Sequence, residues 1–401
     1  MLRSPDDPNS KLSSRVLTAT HRRRPEVTMA DAYSFGIEEE YFLVDAHSKL
    51  VARDMPKTFL DIAKEATNGQ VRGEFLQSQI EVATLPHRDI GTAHTELRHL
   101  RQTVAKIAAD HGLAILAAGT HPTADWGRSQ QSEGERYDAV MDDLQMIGQR
   151  NMLCGLHVHV ELPDPDDRVD VMTRMLPYLP LFIALATSSP FWRSRPTGLK
   201  GYRLAAYDEL PRTGVPELLR SKEEFDAYVD ALVKAGVMQD SSYVWWAIRP
   251  SLKNPTLELR APDSCTLVDD SIAIAALYRT LARHLTRNPW QNWDLTAVTR
   301  AIVVENKWRA QRYGVHGTFV DISGNGAISV ADMLDGVLDD VERDALALGC
   351  LKEVQHCRTI VGTGTSADTQ LAVFEQAQGR SESRDGALRA VTEWIAEATL
   401  Q

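Results

Sequence analysis

The stretch that decides the fold is FGIEEEYFLV, residues 35–44 of a chain of 401 residues. Aromatic and branched residues, which favour strands, flank three consecutive glutamates. Because side chains alternate between the two faces of a strand, Glu38 and Glu40 share one face, whereas Glu39 falls with the apolar residues on the other. Two carboxylates about 7 Å apart on one strand face can ligate neighbouring hard cations. The alternative for this segment alone is an edge strand with its acids in solvent.

The segment EFLQSQIEVAT, residues 74–84, has the same two-sided pattern. Gln77, Gln79 and Glu81 alternate with apolar or small residues, so we predict a second strand with one polar face. Its amides and its acid could bind a polar substrate or a metal ion. A half-exposed strand without a ligand is the alternative.

Two histidines occupy the polar face of a third predicted strand, CGLHVHVEL, residues 154–162. His157 and His159 are two residues apart and therefore point the same way. They could form half of a zinc site, but the sequence has no HExxH pattern and no third soft ligand at a suitable spacing. We favour a magnesium site that uses one histidine among carboxylates. The alternative is one buried, hydrogen-bonded histidine and one exposed histidine.

A fourth predicted strand, TLELRA, residues 256–261, places an acid and a guanidinium on one face. Glu258 and Arg260 form either an ordinary surface pair or a site in which the acid holds a metal and the arginine clamps a phosphate. Four strands with this two-sided pattern predict a sheet with a charged concave face and with helices packed on the other face. Because so many carboxylates repel one another, we expect divalent cations among them.

The order of strand and helix signals predicts an α+β fold, because the two signals do not alternate strictly as in a doubly wound parallel sheet. Ser221 and Glu224 have the spacing of a capping box, and Gly236 could end the helix that follows. Further amphipathic helices are predicted at 89–111, 167–188 and 271–287.

We predict two unequal parts of the chain. Residues 1–31 are rich in Ser, Pro, Arg and Asp without periodicity and are expected to be a flexible leader, with Met29 as an alternative start. Residues 32–401 are expected to form a single catalytic domain whose last part, 295–401, is mostly helical.

Composition excludes several classes of protein. The formal net charge of −11 argues against nucleic acid or a lipid surface as a partner and fits an enzyme for small molecules. Four cysteines without a CxxC pair fit a reducing compartment. The chain shows no secretion signal, and its longest apolar run, residues 176–186, contains two prolines and is too short to span a bilayer.

These segments, taken together and in this order, resemble the carboxylate–amine ligases of the type 2 glutamate–cysteine ligase group, whose fold is akin to that of glutamine synthetase. The resemblance implies an antiparallel catalytic sheet with a concave metal-binding face and with helices packed on the other face. Two positions depart from the family pattern: Glu161 stands where a glycine is expected, and the 28 residues before Met29 lie outside the family core. The matching signatures, spread over residues 33–371, are GIEEEYFLVD (36–45), LQSQIEVAT (76–84), CGLHVHV (154–160), SSPFW (188–192), NPTLELRAPDSCT (254–266) and ENKWRAQRYG (305–314).

The resemblance implies a set of site residues and cofactors. Arg260 is the position of the arginine that contacts the transferred phosphoryl group, and Arg203 that of a second substrate or phosphate arginine. Lys307 and Arg309 are either further ATP-binding residues or ordinary helix surface charges. The resemblance implies two or more Mg²⁺ ions, with Mn²⁺ as an alternative, held by Glu38, Glu40, Glu74, Glu81, His157 and Glu258.

The implied reaction is the ATP-dependent joining of a carboxylate, glutamate by analogy, to an amine, cysteine by analogy, through an acyl phosphate. No GxxxxGKS/T loop occurs, so ATP would be held through metal and arginines. The resemblance also suggests a cytoplasmic homodimer. The rival classes are a metal-dependent hydrolase that uses the same residues, a kinase that stops after phosphoryl transfer, and a nonenzymatic small-molecule-binding regulator. Retention of every proposed ligand argues against the regulator.

Overall fold

The computed structural model describes residues 33–125, 132, 141–142, 144–380 and 383–401. The predicted leader, residues 1–31, lies outside this part of the chain. Within it, seven strands form one sheet and four short strands form two separate pairs. In chain order the strands are β1 (Phe35–Asp45), β2 (Val71–Gly73), β3 (Gln79–Ala83), β4 (Leu113–Leu116), β5 (Leu156–Glu161), β6 (Phe191–Trp192), β7 (Arg195–Pro196), β8 (Ile248–Pro250), β9 (Thr256–Leu259), β10 (Thr318–Val320) and β11 (Ala327–Ser329).

The large sheet is antiparallel throughout and has the order β2-β3-β1-β5-β9-β8, with β4 paired to the second half of β1. Its four middle strands are those that the sequence predicts to have a polar face. The register places Glu40 opposite Glu81 and Glu38 opposite His157. The α+β class and the antiparallel sheet are therefore confirmed.

The predicted strand at 74–84 is wrong in its first half. β2 and β3 form a hairpin in which Gly73 pairs with Ile80, and Gln77 and Ser78 lie in the turn between them. Polar and apolar residues alternate through this short turn as well, so periodicity alone does not separate one long strand from a strand that follows a turn. The other three predicted strands are correct to within two residues at each end.

Helices dominate the chain after residue 295, where the short hairpin of β10 and β11 interrupts them. In chain order the helices are α1 (Lys57–Ala66), α2 (Ile90–Asp110), α3 (Met146–Gln149), α4 (Arg168–Met175), α5 (Leu179–Leu185), α6 (Tyr202–Tyr207), α7 (Lys222–Lys234), α8 (Val268–Arg287), α9 (Ala297–Tyr313), α10 (Val330–Ala347), α11 (Leu351–Thr363), α12 (Ser366–Gly379) and α13 (Arg384–Ala398).

Two helix predictions need correction. The helix expected at 167–188 is divided into α4, a 3₁₀ turn and α5, because Pro177 and Pro180 lack the N–H groups that a continuous helix requires. Ser221 caps α7 by accepting a hydrogen bond from the backbone N–H of Glu224 at 3.3 Å. The carboxylate of Glu224, however, accepts from the N–H of Arg220 rather than from Ser221, so this pair of bonds does not form the reciprocal capping box.

The apolar face of the sheet packs against α2, α4 and α8. Helix α2 buries a stripe at helical spacing, which includes Leu97, Leu100 and Val104, and β1 buries Ile37 and Leu43. Each such side chain contributes about 1.5–3 kcal/mol on burial, so the pattern determines which face of the sheet the helices cover. On the opposite face, the first half of β1 carries polar side chains of the predicted site, whereas Phe42 and Val44 in its second half are buried in an apolar cluster with residues of α12 and α13. No helix in the described part of the chain is long and apolar enough to cross a membrane.

Candidate active site

Strand β1 directs alternate glutamates to opposite sides of the sheet, as predicted. Glu38 and Glu40 lie on the polar face with 22% and 13% of their side chains exposed. Glu39 is fully buried on the helix-covered face, where it forms an ion pair with Arg101 of α2. The two outer carboxylates of the triplet are therefore available to a ligand, and the middle one is not.

A cluster of three carboxylates lies where β1, β3 and the β2–β3 turn meet. Glu40 and Glu81 are directly opposed on neighbouring strands, and Glu74 offers an oxygen within 4.8 Å of an oxygen of each. Like charges opposed in this way repel one another. Burial, followed by the Glu40 charge, raises the pKa of Glu74 to about 7, and burial with the neighbouring carboxylates raises the pKa of Glu81 well above its usual value.

His157 lies beside both glutamates of β1. Its Nδ1 is 3.6 Å from a carboxylate oxygen of Glu38 and its Nε2 is 3.8 Å from one of Glu40. Both nitrogens are buried and have no hydrogen-bond partner among the described residues. Burial, with a smaller effect from Arg260, lowers the pKa of His157 to about 4. A neutral imidazole with an open lone pair is the form that binds metal ions.

His159 is a candidate ligand that the sequence analysis did not select. Its Nδ1 lies 2.8 Å from Thr256 Oγ1, and its buried Nε2, 3.4 Å from Glu38, has no hydrogen-bond partner in the part of the chain described. The strand pattern did place it on the same face as His157. The sequence predicted one metal-binding histidine, His157, whereas the fold places both histidines beside Glu38.

The donor set fits divalent cations. Among the described residues, three groups of ligand atoms each lie within 4.8 Å of one another. Carboxylate oxygens with one or two imidazoles suit Mg²⁺ or Mn²⁺ better than zinc, which favours thiolate and several histidines. The groups are Glu38 with Glu81 and His157, Glu38 with His159 and Glu258, and Glu40 with Glu74 and Glu81.

Glu258 lies between two arginines. Arg249 of β8, directly opposite on the neighbouring strand, forms two hydrogen bonds to the carboxylate at 2.8 and 3.3 Å. Arg260 Nη1 also donates to Glu258. Although burial alone would raise the pKa of Glu258, Arg260 and Arg249 hold it well below its usual value. The sequence did not indicate Arg249 as a site residue, because only the strand register shows that it faces Glu258.

Arg203, on α6, enters the site from outside the sheet. Its Nη1 donates to the carbonyl oxygen of Pro262 at 3.1 Å and lies 3.3 Å from that of Arg260. Its approach depends on Gly155, because a Cβ atom at that position would lie 2.2 Å from Nη2 of Arg203. The N–H of Gly155 also donates to Glu40 at 2.6 Å. The structure thus brings Arg203 and Arg260 together beside Glu40, and their assignment to the transferred phosphoryl group stays a prediction.

The structure gives Lys307 and Arg309 other partners. Lys307 is buried and forms an ion pair with Asp208, and Arg309 donates to the carbonyl and hydroxyl oxygens of Thr318. Neither contacts the carboxylate cluster in any described interaction. Their assignment to ATP binding stays a prediction.

A cavity of about 150 Å³ opens between the carboxylates and the arginines. Charged and polar side chains line it together with apolar ones, which is the usual make-up of a site for a small molecule. A larger groove of about 330 Å³, which includes His94 and His356, shares no residue with the carboxylate cluster. The smaller cavity is lined by Glu40, Glu74, Phe75, Gln79, Leu144, Gly148, Asn151, Leu153, Arg203, Tyr207, Leu210, Trp245 and Arg260.

An antiparallel sheet with a carboxylate and imidazole face, bordered by arginines, defines the class of carboxylate–amine ligases with a glutamine synthetase-like fold. A solved structure, glutamate–cysteine ligase from Francisella tularensis in complex with AMP, shares the fold, with a TM-score of 0.65, 15% identity and coverage of 92% of this chain and 89% of that chain. The model of glutamate–cysteine ligase family 2 matches residues 34–393, and the chain belongs to that family.

Two relatives show the same family along most of the chain. A protein of Bradyrhizobium sp. (strain ORS 278) is 58% identical over 368 residues, which cover 92% of this chain and 88% of the relative. One of Bradyrhizobium diazoefficiens is 55% identical over 371 residues, with coverage of 92% and 85%. Both are named "Putative glutamate--cysteine ligase 2".

Proposed function

We propose that this protein is an ATP-dependent ligase that joins a carboxylate to an amine. The observation that carries the proposal is the convergence of Glu40, Glu74, Arg203 and Arg260 on one small cavity. Carboxylates suit the metal ions that accompany ATP, and the arginines suit the phosphoryl group that is transferred. Membership of glutamate–cysteine ligase family 2 supports the same reaction class.

The reaction has two steps. A carboxylate oxygen of the first substrate attacks the γ-phosphorus of ATP, and ADP leaves. The nitrogen of the amine then attacks the acyl carbon of the resulting acyl phosphate, and phosphate leaves as the amine loses a proton. No protein nucleophile is required, so the contribution of the chain is positioning and electrostatic stabilisation.

Individual residues take distinct roles in these steps. Arg260 and Arg203 bind the transferred phosphoryl group, and the main-chain carbonyls behind Arg203 orient its guanidinium. Glu38, Glu40 and His157, with their neighbours in the three ligand groups, hold Mg²⁺ or Mn²⁺. When bound, these ions supply positive charge that neutralises the phosphate oxygens.

The substrates follow from the relatives. We propose glutamate as the carboxylate and cysteine as the amine, because the relatives and the fold neighbour carry the name glutamate–cysteine ligase. The complex of that neighbour with AMP supports ATP as the nucleotide. A cavity of about 150 Å³ suits an amino acid better than a polymer.

We also propose a cytoplasmic location and a homodimer. All four cysteines lie in the described part of the chain and are free and buried, which fits a reducing compartment. The homodimer rests on the family resemblance.

The test is the release of ADP and phosphate from Mg-ATP across a panel of amino and carboxylic acids, with and without amines. We expect release to require both a carboxylate and an amine and to yield a new amide that mass spectrometry identifies. The Glu40→Gln variant, which removes a proposed metal ligand, is the negative control. Hydrolysis of a substrate without nucleotide would instead establish a metal-dependent hydrolase.

A further inference from the structure

A buried ion pair lies directly behind the carboxylates of the site. Glu39 has no exposed side chain and that of Arg101 is 2% exposed. Nε and Nη2 of Arg101 donate to the two carboxylate oxygens of Glu39 at 2.8 and 2.7 Å. Ser271 Oγ and Tyr41 Oη donate to the same carboxylate. A buried ion pair adds little stability over a well-packed apolar pair of similar volume. Stability alone therefore does not account for this pair, whereas an effect on the positions of the neighbouring segments would.

Arg101 also binds chain segments that are distant in sequence. Nη2 donates to the carbonyl oxygen of Cys265 at 2.8 Å, and Nη1 donates to those of Thr266 at 2.8 Å and Thr399 at 3.3 Å. One planar guanidinium therefore connects α2, β1, the end of the chain after α13 and the segment 260–266 that follows β9.

The segment 260–266 contacts residues of the proposed site. It contains Arg260, and three of its carbonyl oxygens lie 3.1–3.4 Å from Nη1 of Arg203. Ser264 Oγ donates to the carbonyl oxygen of Glu40 at 2.8 Å. Movement of this segment would therefore displace both arginines and the backbone of the strand that carries Glu40.

We propose that Arg101 is a positioning residue for the ligase site, acting from the opposite side of the sheet. Through Glu39 it orients β1, and through the carbonyls of Cys265 and Thr266 it locates the segment that holds Arg203 and Arg260. Arg101 itself touches no proposed metal ligand. The expected effect of Arg101 on turnover rests on the proposed function, whereas its effect on the arrangement of the carboxylates does not.

The experiment compares three variants with the wild type. Glu39→Met/Arg101→Met removes both charges together, so neither is left buried without its partner. Arg101→Lys keeps the charge, but a lysine ammonium cannot span a carboxylate and three carbonyls as the guanidinium does. Arg283→Met/Asp344→Asn is the control, since it disrupts an ion-pair network of Asp344 with Arg283, His284 and Arg287 that shares no described contact with the site.

Each variant is assayed for thermal unfolding, for Mn²⁺ binding by the electron paramagnetic resonance signal of free Mn²⁺, and for kcat and KM. We expect the Met/Met variant to fold, to bind Mn²⁺ about tenfold more weakly, and to lose roughly 10- to 100-fold in kcat with a smaller change in KM, because displacement by about 1 Å costs that much. The lysine variant should show the same direction of change. The control should match the wild type in Mn²⁺ binding, kcat and KM, whatever its thermal stability.

Wild-type Mn²⁺ binding in the Met/Met variant would overturn the proposal. If that variant does not fold, the lysine variant decides, and wild-type Mn²⁺ binding and kcat in it would likewise overturn it. Absence of turnover in the wild-type protein with every substrate would contradict the proposed function alone. The Mn²⁺ measurement would then still test the role of Arg101.

Discussion

Arg260 occupies an unusual position for a residue that is proposed to bind phosphate. Its guanidinium is almost fully buried, is paired with Glu258, and lies 3.4 Å from the hydroxyl of Tyr207. Although burial alone would lower its pKa, Glu258 raises it well above the usual value, so Arg260 stays charged. Its Nε is buried without a hydrogen-bond partner among the residues described. A permanently charged group that retains a free donor is suited to a transferred phosphoryl group.

We predict that Arg260→Ala lowers ATP turnover about 100- to 1000-fold, the usual cost of removing one group that stabilises transition-state charge. The fold should persist, because Arg249 still neutralises Glu258. Steady-state ADP release with circular dichroism as a folding check measures both effects. Arg358→Ala is the control, because Arg358 is an exposed arginine of α11 that donates to Asp335 and is not assigned to the site. Equal losses in the two variants would contradict the specific role of Arg260.

The absence of a side chain at Gly155 allows Arg203 to enter the site. We predict that Gly155→Ala lowers turnover at least about tenfold, because the added Cβ would lie 2.2 Å from Nη2 of Arg203 and would displace the guanidinium. Gly336→Ala is the matched control, since a Cβ at that helical position meets nothing within 4 Å. The control should be neutral or more stable by up to about 1 kcal/mol. Unchanged kinetics in Gly155→Ala would show that the position of Arg203 is not limiting.

At the scale of elements, α2 contributes more than an apolar cover for the sheet. Its buried stripe, with Leu97 and Val104, determines which face packs on the strands, and Arg101 on the same face binds the buried Glu39 of β1. Hydrophobic burial alone tolerates small shifts of a helix along a sheet. A guanidinium with five directed donors does not, so this pair fixes the position of the helix relative to the strand.

We predict that Arg101→Met alone costs about 3–5 kcal/mol of the free energy of unfolding, because it leaves the Glu39 carboxylate buried without its cation. Urea denaturation measures this difference. Arg98→Met, one turn earlier on α2, removes an exposed pair with Asp269 at 3.4 Å and should cost less than about 1 kcal/mol. If both variants lose the same small amount of unfolding free energy, the buried pair does not contribute the predicted stability.

For the whole molecule, the carboxylate cluster links stability to pH and to divalent metal. Burial and Glu40 raise the pKa of Glu74 to about 7, against 4.5 for an ordinary glutamate. Between these values the folded state binds a proton that the unfolded state has lost. The contribution of Glu74 to stability is therefore present at low pH and is lost as pH rises towards and through 7.

We predict that the melting temperature of the metal-free protein falls, relative to that of the Glu74→Gln variant, between about pH 5 and pH 7.5. The variant is the reference because the lowered pKa of the buried His157 acts on stability in the opposite direction in part of this range. Mg²⁺ or Mn²⁺ should raise the melting temperature more at the higher pH, where the cluster carries more negative charge, and cation at 100 times its dissociation constant should add about 2.7 kcal/mol. Thermal scans with chelator and with added metal measure the difference, and an equal metal effect at both pH values would contradict the cluster as the binding site.

Much of the fold was accessible from the sequence because its signals are local. The alternation in FGIEEEYFLV, the histidines of CGLHVHVEL and the spacing of apolar residues in α2 each predict one element and its buried face. The predicted elements were wrong where a local sequence pattern is compatible with two different structures. The turn at Gln77 and Ser78 continues the alternation of the strand that follows, and Pro177 and Pro180 interrupt a helix whose apolar residues continue.

The sequence by itself determined the antiparallel α+β class, the family, and the faces on which Glu38, Glu40, His157 and Glu258 lie, because side-chain direction in a strand depends only on the period of the backbone. Only the tertiary structure decided which strands are neighbours and in what register. It therefore placed Arg249 opposite Glu258, His159 beside Glu38 and Arg101 behind Glu39. These pairings join residues far apart in the chain, and no local periodicity specifies such contacts.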